Sequence, residues 1–445
     1  MPSTETLVPT LDLKYVRTQF PSLAQTINGH PAVFFDGPGG TQVPERVIDA
    51  ISDYLRRDNS NSGGNYPTAR RTDAMIAAAR VAMADFFHCA DDEIVFGQNM
   101  TALTFAFSRA IGRELGPGDE ILVTRLDHDA NVSPWLGMAE DRGVTVRWAE
   151  IHDEDCTLDM DDLASKITPS TRLVTVAYAS NAVGTINPVK QIVQLAHKVG
   201  ALAFVDAVHY APHGLIDVAG LDCDFLVCST YKFFGPHMGV LFGKREHLKR
   251  LRPYKVRPLT DTIPFRWEFG TLNHECIAGI TACVDYLAEL GRYHENKTCG
   301  DGRLAGLSSE ARLHATTPRR AAIEAAYAIT HEHERALMER MMAGLQQIPN
   351  LKIYGITDPA RFHQRCATLA IRIEDGNPEH GPLQLANTLG ERGFFTWDGN
   401  YYAINLTEHL GVEKTGGFLR LGLVHYNTPE EVDRFLAALQ EIIQA

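Results

Sequence analysis

Lys232 lies in Ser229-Thr230-Tyr231-Lys232, a turn held between two apolar runs, Phe225–Cys228 and Val240–Phe242. A lysine between two buried strands is costly unless its amine is used or neutralised. Upstream, the apolar run Phe204-Val205 ends in Asp206-Ala207-Val208-His209. An acid at one strand end and a lysine on the turn after a later strand are what pyridoxal 5'-phosphate requires. The amine forms the Schiff base, and the carboxylate keeps the pyridine nitrogen protonated so that the ring accepts electrons. Taken singly, a strand-end acid is a cap and a lone lysine a solvated surface group. The pair gains meaning from what converges on it.

Such residues need a scaffold that gathers strand ends, and the first half of the chain alternates strand and helix patterns. Strands are expected at Asp92–Phe96, Glu120–Thr124, Val144–Ala149, Leu173–Tyr178 and Ala201–Val205. Helices are expected at Val43–Arg57, Thr72–Phe87, Ala102–Ile111, Ala130–Arg142 and Val189–Val199. This alternation predicts right-handed βαβ units and a mostly parallel sheet. Thr101, His128, Asn181, Asp206, His209, Ser229 and Lys232 all follow predicted strands, and ligands of such sheets sit at their carboxyl ends. The turn Gly97-Gln98-Asn99-Met100-Thr101 aims backbone N–H groups and a hydroxyl at one spot, as a phosphate cradle does. Gly37-Pro38-Gly39-Gly40 lets backbone approach a ligand closely. It is no P-loop, because no Lys-Ser/Thr pair follows.

Beyond Lys244 the pattern changes. Ile277–Leu290 and Ala321–Gln347 read as helices and Leu369–Ile373 as a strand. The end is a strand carrying Arg420, then a helix opening at Thr428-Pro429-Glu430-Glu431. The expected organisation is an arm (1–30) packing on a small domain, a large α/β domain (31–280) and a smaller α+β C-terminal domain (281–445). An inserted loop is expected at 296–320.

The 445 residues carry 55 acids against 42 Lys plus Arg, a net charge of -13. That balance disfavours nucleic acid or an anionic membrane as a partner. No apolar run approaches the ~18 residues that span a bilayer, and the first residues carry no secretory pattern. The eight cysteines form no CxxC pair, which reads as reduced thiols in a cytoplasm. His209 and His213 are spaced as a helical metal pair, but Pro212 breaks the helix and no third ligand of suitable spacing follows. No metal is expected.

Six motifs resemble a known group: Asp127-His128-Asp129-Ala130-Asn131, Ser180-Asn181-Ala182-Val183-Gly184-Thr185, Asp206-Ala207-Val208-His209, Ser229-Thr230-Tyr231-Lys232, Phe269-Gly270-Thr271, and Arg420 with Tyr426-Asn427-Thr428. From about Phe34 to the C-terminus, apart from 296–320, the chain resembles fold-type I pyridoxal phosphate enzymes of the class V aminotransferase superfamily. It is most similar to the cysteine desulfurase and selenocysteine lyase branch. The resemblance implies that Lys232 binds the cofactor covalently and later shuttles the α-proton, that His128 stacks on the ring, and that Asp206 pairs with the pyridine nitrogen. It places His209 near the ring oxygen and Asn181 over the same edge. Met100, Thr101 and Ser229 would hold the phosphate, together with Thr271 of a second subunit, which implies a homodimer. Arg420 would clamp the substrate carboxylate, a task suited to a guanidinium fork.

Desulfurases of this branch use a loop cysteine that attacks the substrate sulfur. In the matching stretch, Arg392 to Ala403, Tyr402 stands where that cysteine belongs and Trp397 where an arginine is usual; no cysteine follows Cys366. A tyrosine holds no persulfide. The expected activity is therefore C–S cleavage of a small amino acid by a lyase route, in a pocket that includes Trp397 and Tyr402. Transamination and epimerisation use the same carbanion and stay open, as does a degenerate cofactor-binding scaffold. Retention of Lys232, Asp206, His128 and Arg420 together speaks against the scaffold.

Overall fold

The computed structural model describes residues 10–300 and 317–444. Seven strands form its main sheet: Ile94–Gly97 (β1), Glu120–Thr124 (β2), Thr145–Ala149 (β3), Thr171–Ala177 (β4), Leu202–Asp206 (β5), Phe225–Ser229 (β6) and Gly239–Gly243 (β7). Their order is β1-β7-β6-β5-β4-β2-β3. β7 pairs antiparallel with both neighbours, and the other pairings are parallel. Strand residues alternate between two cores. Phe204, Phe225 and Val227 pack with Phe107 and Trp135 on one face; Val205, Leu226 and Cys228 face the other. A sheet covered on both faces explains why these strands read as continuous apolar runs. The chain is thus of the α/β class, with a parallel-dominated central sheet.

A second sheet, Leu351–Tyr354 (β8), Thr368–Ile373 (β9), Trp397–Gly399 (β10) and Phe418–Gly422 (β11), is antiparallel in the order β8-β9-β11-β10. One face is buried under the helices Pro318–Leu345 and Pro429–Gln444 through Leu369, Leu419, Met341 and Phe435. Val33–Phe34 pairs in parallel with Phe394–Phe395. This ties the glycine turn that follows to the second sheet.

Most predicted elements appear within a few residues of their expected bounds. Ala130–Arg142 divides into a 3-10 turn, Asp129–Asn131, and a helix, Ser133–Arg142, with Pro134 in its first turn. The helix expected at Ile277–Leu290 runs His274–Gly300. Its apolar period ends near Leu290, but the arm supports the extra turns: Tyr15 stacks on Tyr293 at 3.7 Å, and Asp12 accepts hydrogen bonds from Tyr293 and Lys297. The same arm reaches the C-terminal segment, where Arg17 pairs with Glu431 at 2.8 Å. The loop expected at 296–320 lies mostly outside the described residues, and its two ends, 296–300 and 318–320, are helical.

The irregular segment before Thr271 is anchored by a buried ion pair. Arg80 donates to both Glu268 carboxylate oxygens, at 2.8 and 2.5 Å, and Phe96 N–H donates to Glu268 Oε1 at 2.7 Å. Glu268→Ala strands a buried guanidinium and is expected to destabilise the fold by about 3–5 kcal/mol. Urea unfolding measures it, and a loss near zero would mean that solvent reaches Arg80.

Candidate active site

The carboxyl ends of β1, β2, β4, β5 and β6 open into a cavity of about 1010 Å³. Lys232, Asp206, His128, His209, Asn181, Ser229, Thr101, Met100, Arg420, Trp397 and Tyr402 all line it. Thr271 does not. It is exposed on a separate cavity with Arg80 and Glu268.

The end of the cavity beside β1 is built from backbone. The helix Met100–Gly112 starts there, with Asn99 Oδ1 accepting from Ala102 N–H at 2.8 Å. Met100 N–H donates to Ser229 Oγ at 3.0 Å, which holds that hydroxyl at the helix N-terminus, where an anion is favoured. The close approach needs Gly239: a Cβ there would lie 2.4 Å from the Asn99 carbonyl carbon.

Asp206 is buried at the end of β5. Its Oδ1 accepts from Val208 N–H at 2.9 Å. Burial pushes its carboxyl up to about 6, with that hydrogen bond opposing. A cation in the cavity would favour the ionised form, as a pyridinium nitrogen does. Burial also pushes His128 down to about 4. Its Nδ1 accepts from Ala130 N–H at 3.0 Å, so the neutral ring carries its proton on Nε2.

Lys232 Nζ donates to the Pro38 and Gly39 carbonyls, at 2.5 and 3.0 Å. Burial first, and the Arg420 guanidinium second, push the amine down to about 7; Asp206 and Asp36 oppose them. A lysine neutral at physiological pH is a ready nucleophile and base. Covalent uptake of the cofactor by apoprotein is therefore expected to speed up about tenfold per pH unit below pH 7 and to level off above it. Stopped-flow absorbance across pH 5–10 checks this, and a midpoint near ordinary lysine values would show the amine to be solvated.

Arg420, central in β11, is buried, and burial pushes it down to about 10. Nη1 donates to Asn181 O at 2.9 Å, and the guanidinium carbon lies 4.0 Å from the Tyr401 ring centroid. The stretch after β10 bends back over the cavity mouth. Tyr401 and Tyr402 both have positive φ, 55° and 60°, a costly left-handed pair for bulky residues. It is held from outside: Asn181 Nδ2 donates to Tyr401 O at 2.9 Å, and Asp129 N–H to Tyr402 O at 2.7 Å. Tyr402 stacks on His128 with centroids 5.4 Å apart, yet remains 71% exposed. Trp397 covers the glycine turn, where a Cβ on Gly39 would meet its indole nitrogen at 2.7 Å.

Several site groups escaped the sequence reading. Asp36 opens the glycine turn; burial pushes it up to about 6, opposed by nearby Arg420 and Lys232, and its Oδ1 has no partner. Tyr231 stacks on His237 at 4.6 Å, and both line the cavity. An acid directly before Gly-Pro-Gly-Gly was the available signal for Asp36. Tyr231 and His237 had none beyond proximity to Lys232.

Orphaned buried atoms mark the cavity as built for a polar ligand. Asn181 Oδ1 and Asp36 Oδ1 lack partners. A lysine for an aldehyde, a carboxylate for a pyridine nitrogen, a helix N-terminus for a phosphate and an imidazole for a ring face fit pyridoxal 5'-phosphate.

The family model "Aminotransferase class-V" matches residues 33–299 and 320–435. The chain belongs to that family. It is accordingly an enzyme of the pyridoxal phosphate-dependent class. The match passes over most of the segment expected as an insertion. A cysteine desulfurase of Pectobacterium carotovorum is 32% identical over 447 residues, covering 97% of this chain and 98% of the relative. A probable cysteine desulfurase of Halalkalibacterium halodurans is 30% identical over 442 residues, covering 96% and 97%. The fold is shared with the apo cysteine desulfurase of Thermococcus onnurineus (TM-score 0.81, 23% identity, all of both chains). It is shared also with the desulfurase CsdA of Escherichia coli (TM-score 0.79, 24% identity, 98% and 99%). Among the described residues no helix is long and apolar enough to cross a membrane.

Proposed function

We propose that the enzyme cleaves the C–S bond of cysteine or a close derivative by elimination, without a cysteine nucleophile. The observation that carries this reading is the cavity wall. No described cysteine lines it, and Tyr402 occupies its mouth beside His128. The described cysteines are buried or half-buried elsewhere, and burial pushes the Cys228 thiol, behind Asp206, well up. Among the described residues no thiolate is therefore available to attack a bound sulfur.

Pyridoxal phosphate, when bound, supplies an electron sink for the pair released at Cα. Asp206 keeps a carboxylate against its ring nitrogen, and Met100, Thr101 and Ser229 receive its phosphate. Arg420, with one nitrogen committed to Asn181, turns the rest of its fork to the substrate carboxylate. Lys232 takes the Cα proton, and the Pro38 and Gly39 carbonyls hold the resulting ammonium. The electron pair expels the Cβ sulfur as thiolate, which leaves as sulfide; hydrolysis releases pyruvate and ammonia. His128 would stack on the ring, and the His209 imidazole would face its oxygen edge. Trp397 and Tyr402 restrict the mouth to a small side chain.

The same reading makes the working unit a homodimer in the cytoplasm. Thr271 is exposed and outside its own subunit's cavity, as a residue delivered to a second copy would be. Three structural units, an arm at 1–30, a large domain to 280 and a small domain to 445, fit the separate core of the second sheet.

Product analysis tests the chemistry. Cofactor-loaded protein, L-cysteine and a reductant are expected to give sulfide and pyruvate in equal amounts. Sulfide with alanine would mean desulfuration and overturn the proposal. A loaded enzyme that gives no sulfide would point to transamination or epimerisation.

A further inference from the structure

Behind the cofactor cavity lies a buried cluster of which the proposed reaction uses only His209. His209 and His213 follow β5 on successive turns, and Cys366 arrives from the connection between β8 and β9 of the second sheet. One potential ligand atom from each lies within 4.8 Å of the other two. All three residues are at least nine-tenths buried. The imidazole centroids are 5.2 Å apart at an interplanar angle of 65°, so the rings converge without stacking.

The surroundings suit a metal ion. Glu334 Oε2 meets His213 Nδ1 at 2.7 Å. A carboxylate on one ring nitrogen fixes the tautomer and leaves the other nitrogen as the lone-pair donor, as behind metal-bound histidines. His209 Nε2 is buried with no hydrogen-bond partner, and so is Glu334 Oε1. Native proteins seldom leave such atoms orphaned unless a water or ion completes them. A second cavity of about 550 Å³ is lined by His213, Glu334 and Cys366 and reaches exposed Lys190 and His331. It provides a route from solvent and room for a fourth ligand.

We propose that His209, His213 and Cys366, with Glu334 orienting His213, bind one divalent transition-metal ion of the zinc class. Two imidazoles and a thiolate with an open fourth position suit such an ion, and carboxylate-loving calcium or magnesium would be poorly served. Ligand atoms on one zinc stand ~3.5 Å apart, so closing the cluster takes side-chain shifts of about an ångström. The thiol proton leaves to solvent. Because His209 also lines the cofactor cavity, the ion holds that ring from behind and links the second cavity to the active site.

The test uses the full-length, cofactor-loaded enzyme without an affinity tag, stripped with a chelator and titrated with Co²⁺. One equivalent should bind with a thiolate-to-cobalt charge-transfer band, and Zn²⁺ should displace it. Cys366→Ser should abolish that band. Glu334→Gln, which keeps shape but loses the charge behind His213, should weaken binding about 10–100-fold. Absence of stoichiometric uptake, or a band that persists in Cys366→Ser, overturns the proposal. Should Cys366→Ser not fold, X-ray absorption at the zinc edge of the wild-type enzyme decides. One sulfur among nitrogen and oxygen neighbours supports the site, and a shell without sulfur removes it.

Discussion

Lys232→Ala is expected to lower kcat/KM for the C–S cleavage by about 10⁴-fold or more. In the proposed reaction the residue has two tasks at one atom, covalent attachment of the cofactor and removal of the Cα proton. Positioned general-base catalysis alone contributes ~10²–10⁴-fold. Borohydride reduction followed by mass spectrometry checks the attachment: wild type gains the cofactor mass at Lys232 and the variant does not, while the variant's Tm separates this loss from misfolding. The fold should not suffer. The amine is buried near Arg420, with burial and that guanidinium holding it down to about 7. Its charged form is thus a cost in the folded state below that pH. Between about pH 7 and the ordinary lysine range the unfolded chain binds the extra proton, so in apoprotein this group adds stability as pH rises through that window. The variant's Tm near pH 6 should equal or exceed wild type's. A marked fall there, or activity within tenfold of wild type, would remove Lys232 from the proposed role.

Asp206→Ala carries the second large effect, a fall in kcat of about 10²–10³-fold with little change in KM. Preorganised charge aimed at a reacting centre is worth that much in a water-poor site. Val208 N–H already takes Oδ1, so the other oxygen is the one offered to the cofactor ring. Asp206→Asn separates shape from charge: it should retain the Val208 contact and still lose most of the rate. Activity within about threefold of wild type in the Asn variant would mean that the carboxylate's charge is not needed.

The strand-end logic located the site because a parallel sheet converts sequence order into spatial convergence. Thr101, His128 and Asn181 follow strands and Asp206 and Ser229 end them, and all five line one cavity. Arg420 was placed on a strand by pattern, and its role came only from the resemblance. Thr271 was recognisable by motif only, and one chain does not bring it to Lys232.

Other features depend on contacts between distant segments. Asp36 and the Pro38 and Gly39 carbonyls are brought to Lys232 by contacts far apart in sequence, Val33–Phe34 with Phe394–Phe395 and Thr41 with Tyr231 and Phe234. The strained Tyr401–Tyr402 pair persists because Asn181 and Asp129 hold its carbonyls. The histidine pair had no third group nearby in sequence; the fold brings Cys366 and Glu334 beside it.

Residue types and their alternation along the chain thus determined the sheet, the cofactor chemistry and the lysine–aspartate pair, since periodicity and charge placement are local properties. Tertiary structure alone decided how far the lysine amine is desolvated, which backbone carbonyls hold it, and which buried atoms are left without partners. Those depend on packing between segments hundreds of residues apart, and burial, which sets both proton affinity and the cost of an unpaired group, is a property of the assembled fold.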